Sequence, residues 1–373
     1  MKIETRAVHA GTEPDAVTGS IAPPIHLSTT FEHGPASEEV HGYIYIRDKN
    51  PTQDRLEQAL SQLEGGEDTL VFGSGMGAAS AMLQQLDPGS HVIFPQDVYV
   101  HVRVAQKDFL HKWGIESTAI DMRSAENVKQ ALRPNTRLLW METPSNPRMD
   151  IIDIAALAKI AREAGALSLV DNTFATPILQ RPIELGADVV LHSTTKFCGG
   201  HSDVQGGCLV VGKRDALYER LVHVRTVLGA VSSPFNSWLV LRGLHTLACR
   251  MERHSANGLA VARALAQNRK IETVFYPGLE SHPGHAIAAR QMSGFGAMLS
   301  ILIKGGRDEA VGVASRVRLI RNATSLGGVE TLIEHRASAE GKSSTTAPNL
   351  LRLSIGLEHP DDVIDDLLQA LGS

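Results

Sequence analysis

The stretch Val189-Val190-Leu191-His192-Ser193-Thr194-Thr195-Lys196 decides the fold. It opens as an unbroken apolar run and ends in hydroxyl residues and an amine, after which the chain turns through Gly199-Gly200. A strand covered on both faces reads as continuous apolar residues, the mark of a parallel sheet with helices on either side. The same kind of run recurs at Thr69–Phe72, Val92–Phe94, Leu138–Met141, Leu167–Val170 and Cys208–Val211. Helical periodicity fills the intervals, as in Thr52–Leu63, Ala78–Leu86 and Ile154–Ala164. This rhythm predicts an α/β fold with a doubly wound, mostly parallel sheet.

The flanks read differently. Residues 1–50 are punctuated by Gly11, Gly19, Pro23, Pro24, Gly34, Pro35 and Gly42, and sustain neither period, which predicts an extended arm lying on something else. A helical pattern from Trp238 to Ala266 is predicted to link a large domain, 51–245, to a smaller C-terminal α/β domain, 246–373. The second domain is expected to use Ala297–Ile303 and Leu350–Ile355 as strands and Asp361–Leu371 as a closing helix.

Composition removes several classes. A chain of 373 residues with 43% hydrophobic and 21% charged residues is globular rather than disordered. Its net charge of −5, without a Lys/Arg cluster, argues against a nucleic-acid partner. Three cysteines, Cys198, Cys208 and Cys249, form no disulfide framework and fit no zinc spacing, so no metal is expected. No apolar run approaches the ~18 residues that cross a bilayer, and no signal peptide is recognisable at Met1-Lys2-Ile3-Glu4. The expectation is a soluble, reduced, cytoplasmic protein.

Ligands in open α/β sheets bind beyond the carboxyl ends of the strands. After Phe72 comes Gly73-Ser74-Gly75-Met76-Gly77, feeding a helix, which suits either an anion cradle or a structural turn. After Val170 comes Asp171-Asn172-Thr173, where the acid faces the ligand crevice or caps a turn. After Leu191 come Ser193, Thr195 and Lys196. Anion donors, an acid and an amine at three strand ends together suit pyridoxal 5′-phosphate, which needs a Schiff-base lysine, a carboxylate at its pyridine nitrogen and donors for its phosphate.

With these residues in place, the sequence resembles the pyridoxal-phosphate enzymes of cysteine and methionine metabolism, the cystathionine γ-synthase, γ-lyase and methionine γ-lyase group. The resemblance runs along nearly the whole chain: Thr5–Gly11, Pro23-Pro24-Ile25, Tyr45-Ile46-Arg47, Asn50-Pro51-Thr52, Ser74-Gly75-Met76, Glu142–Pro147, Asp171–Phe174, Ser193–Lys196, Gly200–Val204, Ser325–Gly328 and Arg352–Glu358. It implies a type I pyridoxal-phosphate transferase fold, like that of aspartate aminotransferase. It implies Lys196 as Schiff-base lysine and proton carrier, and Asp171 as partner of the pyridine nitrogen, with Thr173 also at the cofactor. Gly75, Met76, Ser193 and Thr195 match its phosphate-binding set. Tyr99 matches the tyrosine stacked on the cofactor ring. Tyr45 and Arg47 match residues that reach the phosphate of a neighbouring subunit, which implies a homodimeric catalytic unit, usually paired into a homotetramer. Asn146, Ser325 and Arg352 match groups around the cofactor oxygen and the substrate carboxylate. Glu330 matches an acid that meets a cationic group at the substrate's far end.

Two segments depart from the family pattern. Tyr99 is followed by Val100-His101-Val102-Arg103 where the family has small residues, and Glu334-His335-Arg336-Ala337-Ser338-Ala339-Glu340 replaces its Thr-His segment. Both flank the substrate. The implied activity is γ-elimination or γ-replacement on a γ-substituted L-amino acid, as in transsulfuration. Its variants are a γ-lyase for a non-sulfur substrate such as canavanine, a β-lyase and an O-acylhomoserine sulfhydrylase. A nicotinamide oxidoreductase built on Gly73–Gly77 and Asp97 would leave the Ser193–Lys196 and Arg352 segments without a purpose. A non-catalytic binding protein would leave the whole catalytic set without one.

Overall fold

Seven strands in the computed structural model, which describes residues 1–341 and 344–372, form the sheet that the apolar runs foretell. They are β1 (Asp68–Phe72), β2 (His91–Pro95), β3 (Glu116–Ile120), β4 (Thr136–Glu142), β5 (Leu167–Asp171), β6 (Val189–His192) and β7 (Gly207–Val211). Their spatial order is β1-β7-β6-β5-β4-β2-β3. Strands β3, β2, β4, β5 and β6 run parallel. The Cys208–Val211 run does not join them in direction, because β7 is antiparallel to both β1 and β6. An apolar run records burial on two faces and says nothing of strand direction.

Alternation carries the packing. Leu138, Trp140 and Leu169 point into one apolar cluster with Met82 and Phe94, while Leu139, Met141 and Val170 point to the opposite face with Leu157 and Ile160. Trp140 and Met141, on opposite faces, are both fully buried, so this sheet is covered on both sides. Strand β3, at the sheet edge, is half-exposed and carries no apolar run.

A second sheet contains β8 (Ile271–Phe275), β9 (Met298–Ile303), β10 (Arg321–Asn322), β11 (Leu332–His335) and β12 (Leu350–Ser354), in the order β10-β11-β12-β9-β8. All its pairings are antiparallel except β10 with β11. The helix Pro360–Leu371 packs against the helices Leu247–Ala266 and Gly306–Arg316. The helical pattern from Trp238 is two helices, Pro234–Leu244 and Leu247–Ala266, not one. Arg250 fixes the break by donating to the Gly243 carbonyl at 2.7 Å and to the Phe197 carbonyl at 2.7 Å. A Cβ on Gly243 would lie 2.4 Å from the Cys198 carbonyl, so only glycine lets that backbone settle there.

The first fifty residues hold one short helix, Ile3–His9, followed by irregular chain with isolated bridges at Thr30–Tyr45 and His33–Glu39. The pinned helix corrects the expectation of an arm without any period. Its anchors are Ala7 and Ala10, both buried. Beyond it the arm exposes Val17, Ile21 and Leu27. Among the described residues no helix is long and apolar enough to cross a membrane.

Candidate active site

Three loops at the carboxyl ends of β1, β5 and β6 meet around a cavity of about 470 Å³. The first becomes the helix Gly75–Gln84, whose N-cap Ser74 accepts from the Gly77 amide at 3.0 Å. A Cβ on Gly75 would stand 2.8 Å from that of Ser193, so glycine is what brings the helix start against the β6 loop. The Ser193 hydroxyl has no protein partner among the described residues. Thr195 is already engaged, its hydroxyl oxygen donating to the Gly206 carbonyl and accepting from the Gly206 amide.

Asp171, the last residue of β5, accepts through Oδ1 from the Thr173 hydroxyl at 2.6 Å and the Thr173 amide at 3.0 Å. The Thr173 oxygen in turn accepts from the Ser193 amide at 2.9 Å, which ties the two strand ends together. Burial raises the Asp171 carboxyl above the usual range, and the two Thr173 bonds pull it back. Its Oδ2 accepts from no protein donor among the described residues.

Lys196 projects from the β6 loop and donates to the Ser325 hydroxyl at 3.0 Å. Burial, reinforced by the charges of Arg352 and Arg336 against that of Glu334, lowers its ammonium to about 8. A desolvated lysine of this kind is poised as nucleophile and base near neutral pH.

The second sheet supplies the opposite wall. Arg352 on β12 faces Glu334 on β11 as a cross-strand pair. Its guanidinium donates to Glu334 at 2.8 Å, to the Asn146 side-chain carbonyl at 3.0 Å and to the Ser325 carbonyl at 3.1 Å. Burial and the neighbouring Arg336 lower it to about 10. Burial pushes the Glu334 carboxyl up, but Arg352, the Thr324 hydroxyl and Arg336 outweigh it and hold it below the usual range. Arg336 donates to Glu334 at 2.7 Å and to Glu340 at 3.1 Å, leaving its Nε buried and unpartnered.

Tyr99 closes the cavity beside Val100 and His101. Its amide donates to Glu142 at 2.8 Å, and the Asn146 amide donates to the other Glu142 oxygen at 3.1 Å. Burial and then the charge of Asp171 raise the Glu142 carboxyl well above the usual range.

Gly75, Met76, Tyr99, Asn146, Asp171, Thr173, Ser193, Thr195, Lys196, Ser325 and Arg352 therefore all line one cavity. Tyr45, Arg47, Glu330 and Asp97 do not. Tyr45 is exposed on the arm, with the Arg47 guanidinium 5.5 Å above its ring. Glu330 stands outside the cavity and accepts from Ser202 at 2.7 Å. Asp97 does not line the cavity either, its carboxylate accepting from the Ser145 hydroxyl. Sequence reasoning passed over Glu142, Glu334 and Arg336 as site residues. The signal available for Glu142 was a charge closing an expected apolar run, since it ends β4, whereas Glu334 lies within β11, where no strand was expected.

A free serine hydroxyl beside a helix start, a carboxylate with one open oxygen and a desolvated lysine fit pyridoxal 5′-phosphate. The class of protein they define, on this sheet, is that of pyridoxal-phosphate enzymes. Residues 4–372 match the family model for the Cys/Met metabolism PLP-dependent enzymes. The chain is 46% identical over 375 residues to cystathionine gamma-synthase of Mycobacterium bovis, covering 99% of this chain and 96% of that one. It is 43% identical over 379 residues to cystathionine beta-lyase of Coxiella burnetii, covering 99% and 97%. The crystal structure of metB from Corynebacterium glutamicum superposes with a TM-score of 0.97 at 42% identity, over 100% of this chain and 98% of that one. The chain belongs to the Cys/Met metabolism family of PLP-dependent enzymes, and pyridoxal 5′-phosphate is its cofactor.

Proposed function

We propose that the enzyme expels the γ-substituent of an L-amino acid, by elimination or by replacement with a nucleophile. The observation that carries this reading is the lysine of lowered affinity for protons, Lys196, held in one cavity with Arg352 and Tyr99. Bound pyridoxal 5′-phosphate supplies an electron sink that makes the Cα proton of the substrate acidic. Around it the chain does the rest. The amides of Gly75 and Met76 with the free Ser193 hydroxyl would hold the phosphate, Thr195 joining them by turning its hydroxyl from the Gly206 carbonyl, and the open oxygen of Asp171 would hold the proton of the ring nitrogen. Arg352, held in register by Asn146 and Glu334, grips the substrate carboxylate. Lys196 Nζ takes the Cα proton, gives it up again and, once more a neutral amine, takes a Cβ proton, while the Tyr99 phenol gives its proton to the departing γ-atom.

Completion of the site by a second chain belongs to the same proposal. The exposed Tyr45 and Arg47 would reach the phosphate of a partner in a homodimer, the dimers pairing into a homotetramer. The division into an arm, 1–50, a cofactor domain, 51–245, and a C-terminal domain, 246–373, and a cytoplasmic location, complete the reading. For Glu330 to meet a cationic group, the substrate must extend out of the cavity as far as the Ser202–Glu330 pair. Glu330→Ala would then raise KM for long cationic substrates and leave that of methionine unchanged.

The test is a substrate panel of cystathionine, O-acylhomoserines, methionine and canavanine, with products identified by mass spectrometry. Four-carbon 2-oxoacids, or γ-substituted products when a thiol is added, support the proposal. Pyruvate from cystathionine, the β-lyase outcome, or transamination of all four would reject it.

A further inference from the structure

We propose that His101 passes protons between solvent and the phenol of Tyr99, acting as a positioning and relay residue for the departing group. The inference rests on the reading that the Tyr99 phenol serves that group.

The geometry is direct. His101 Nδ1 lies 2.9 Å from the Tyr99 oxygen, and the two rings meet edge-on with centroids 5.3 Å apart. Both residues line the cavity, at the start of the helix Val100–Asp108. Tyr99 is half-buried and His101 exposed, so the pair spans the boundary between cavity and water. The backbone of Tyr99 is tied to Glu142, which keeps the phenol in place. Among the described residues no other side chain hydrogen-bonds this phenol, and His101 Nε2 has no protein partner.

The chemistry requires such a partner. Burial raises the Tyr99 phenol, with Glu142 and Asp171 adding to that effect and Arg336 and Arg352 opposing it. A phenol that holds its proton so firmly is a phenol at neutral pH, and once it has given its proton away it must recover one quickly. With hydrogen on Nδ1, His101 donates to the Tyr99 oxygen and leaves the phenol's own hydrogen free to face the cavity. When the departing γ-atom takes that hydrogen, the Tyr99 O–H bond breaks. The Nδ1–H bond then breaks to restore the phenol, and a solvent proton forms the Nε2–H bond. A return to the starting tautomer completes the cycle with no net change in the protein. The ring thus admits a proton on its wet side and releases one on its dry side.

The test compares His101→Gln, which keeps a hydrogen bond to Tyr99 but cannot pass a proton through, with His101→Ala. In the wild type, kcat against pH should show an inflection from the relay. In His101→Gln the inflection should vanish and kcat fall about tenfold or more, with KM within about twofold. Free imidazole should restore part of the rate to His101→Ala and none to His101→Gln. In cofactor-free protein, the NMR titration of the His101 ring should move when Tyr99 is changed to Phe. An unaltered profile in His101→Gln, no response of His101→Ala to imidazole, or a titration indifferent to Tyr99→Phe would each overturn the relay. A wild type that expels no γ-substituent would instead remove the reading beneath it, and the NMR comparison needs no substrate to distinguish the two failures.

Discussion

Lys196 Nζ lies 3.0 Å from the hydroxyl of Ser325, a residue whose φ of 137° is a conformation that only glycine adopts without cost. The strained residue also presents its carbonyl to Arg352 at 3.1 Å. One twisted backbone position thus serves the amine and the guanidinium at once. Strain of this kind costs on the order of 1–3 kcal/mol and persists where the surroundings hold it. Here the neighbouring Gly327 amide is fixed by the Ser354 hydroxyl at 2.9 Å.

Ser325→Gly separates the two roles, because glycine accepts the φ but lacks the hydroxyl. The variant should be as stable as the wild type or more so in urea melts, while kcat falls about tenfold through a misplaced Lys196. Lower stability with unchanged kcat would contradict the argument.

Lys196 also leaves a signature on stability. Its ammonium is lowered to about 8 in the folded protein from 10.5, so between those values the unfolded chain binds the extra proton. Stability of the cofactor-free protein therefore rises with pH across that window, and the full cost of the buried charge is felt below pH 8. Lys196→Met removes that cost, which is on the order of 3 kcal/mol. The gap in unfolding free energy between variant and wild type should narrow as pH climbs from 8 to 10.5. A pH-independent gap would show that the amine is not desolvated.

Arg352 is 4% exposed and shares Glu334 with Arg336. Arg352→Lys keeps a charge but cannot reach Asn146, Ser325 and Glu334 together, so kcat/KM should fall about a hundredfold or more. Arg352→Ala should in addition lower stability by about 3 kcal/mol, since Glu334 loses one of its two cations in a buried site. Equal activity of Arg352→Lys and wild type in steady-state assays would remove the bidentate role.

The shared-site proposal has its own test. Arg47→Ala should weaken binding of the cofactor by about 1.5–3 kcal/mol through one lost charge-assisted contact. Mixed oligomers of Arg47→Ala and Lys196→Ala chains should regain activity that neither shows alone. No recovery on mixing, or full activity in a stable monomer, would end the proposal.

Much of this site was legible in the chain because buried parallel strands announce themselves and function collects at their ends. Asp171 and Lys196 each come after a nearly continuous apolar run, broken only by Ser168 before Asp171, so their placement needed little beyond the pattern. The edge strand β3 stayed hidden because Glu116 and Ala119 are exposed and its faces differ. The direction of β7 was hidden because burial is blind to polarity. Arg352 and Asn146 touch across 206 residues of chain, and spacing carries no trace of such a contact. Glu334 and His335 read as a charged loop, yet they form a strand buried at every position. Pairing with Arg352 and Arg336 is what makes that burial tolerable for Glu334.

The most direct test of the account is to locate the lysine that carries the cofactor. Borohydride reduction of the holoenzyme, followed by proteolysis and peptide mass spectrometry, should place a phosphopyridoxyl group on Lys196 and no other residue. The same treatment of Lys196→Ala should leave every peptide unmodified and the protein without turnover. A phosphopyridoxyl group on a different lysine in the wild type, or turnover in Lys196→Ala, would contradict the account.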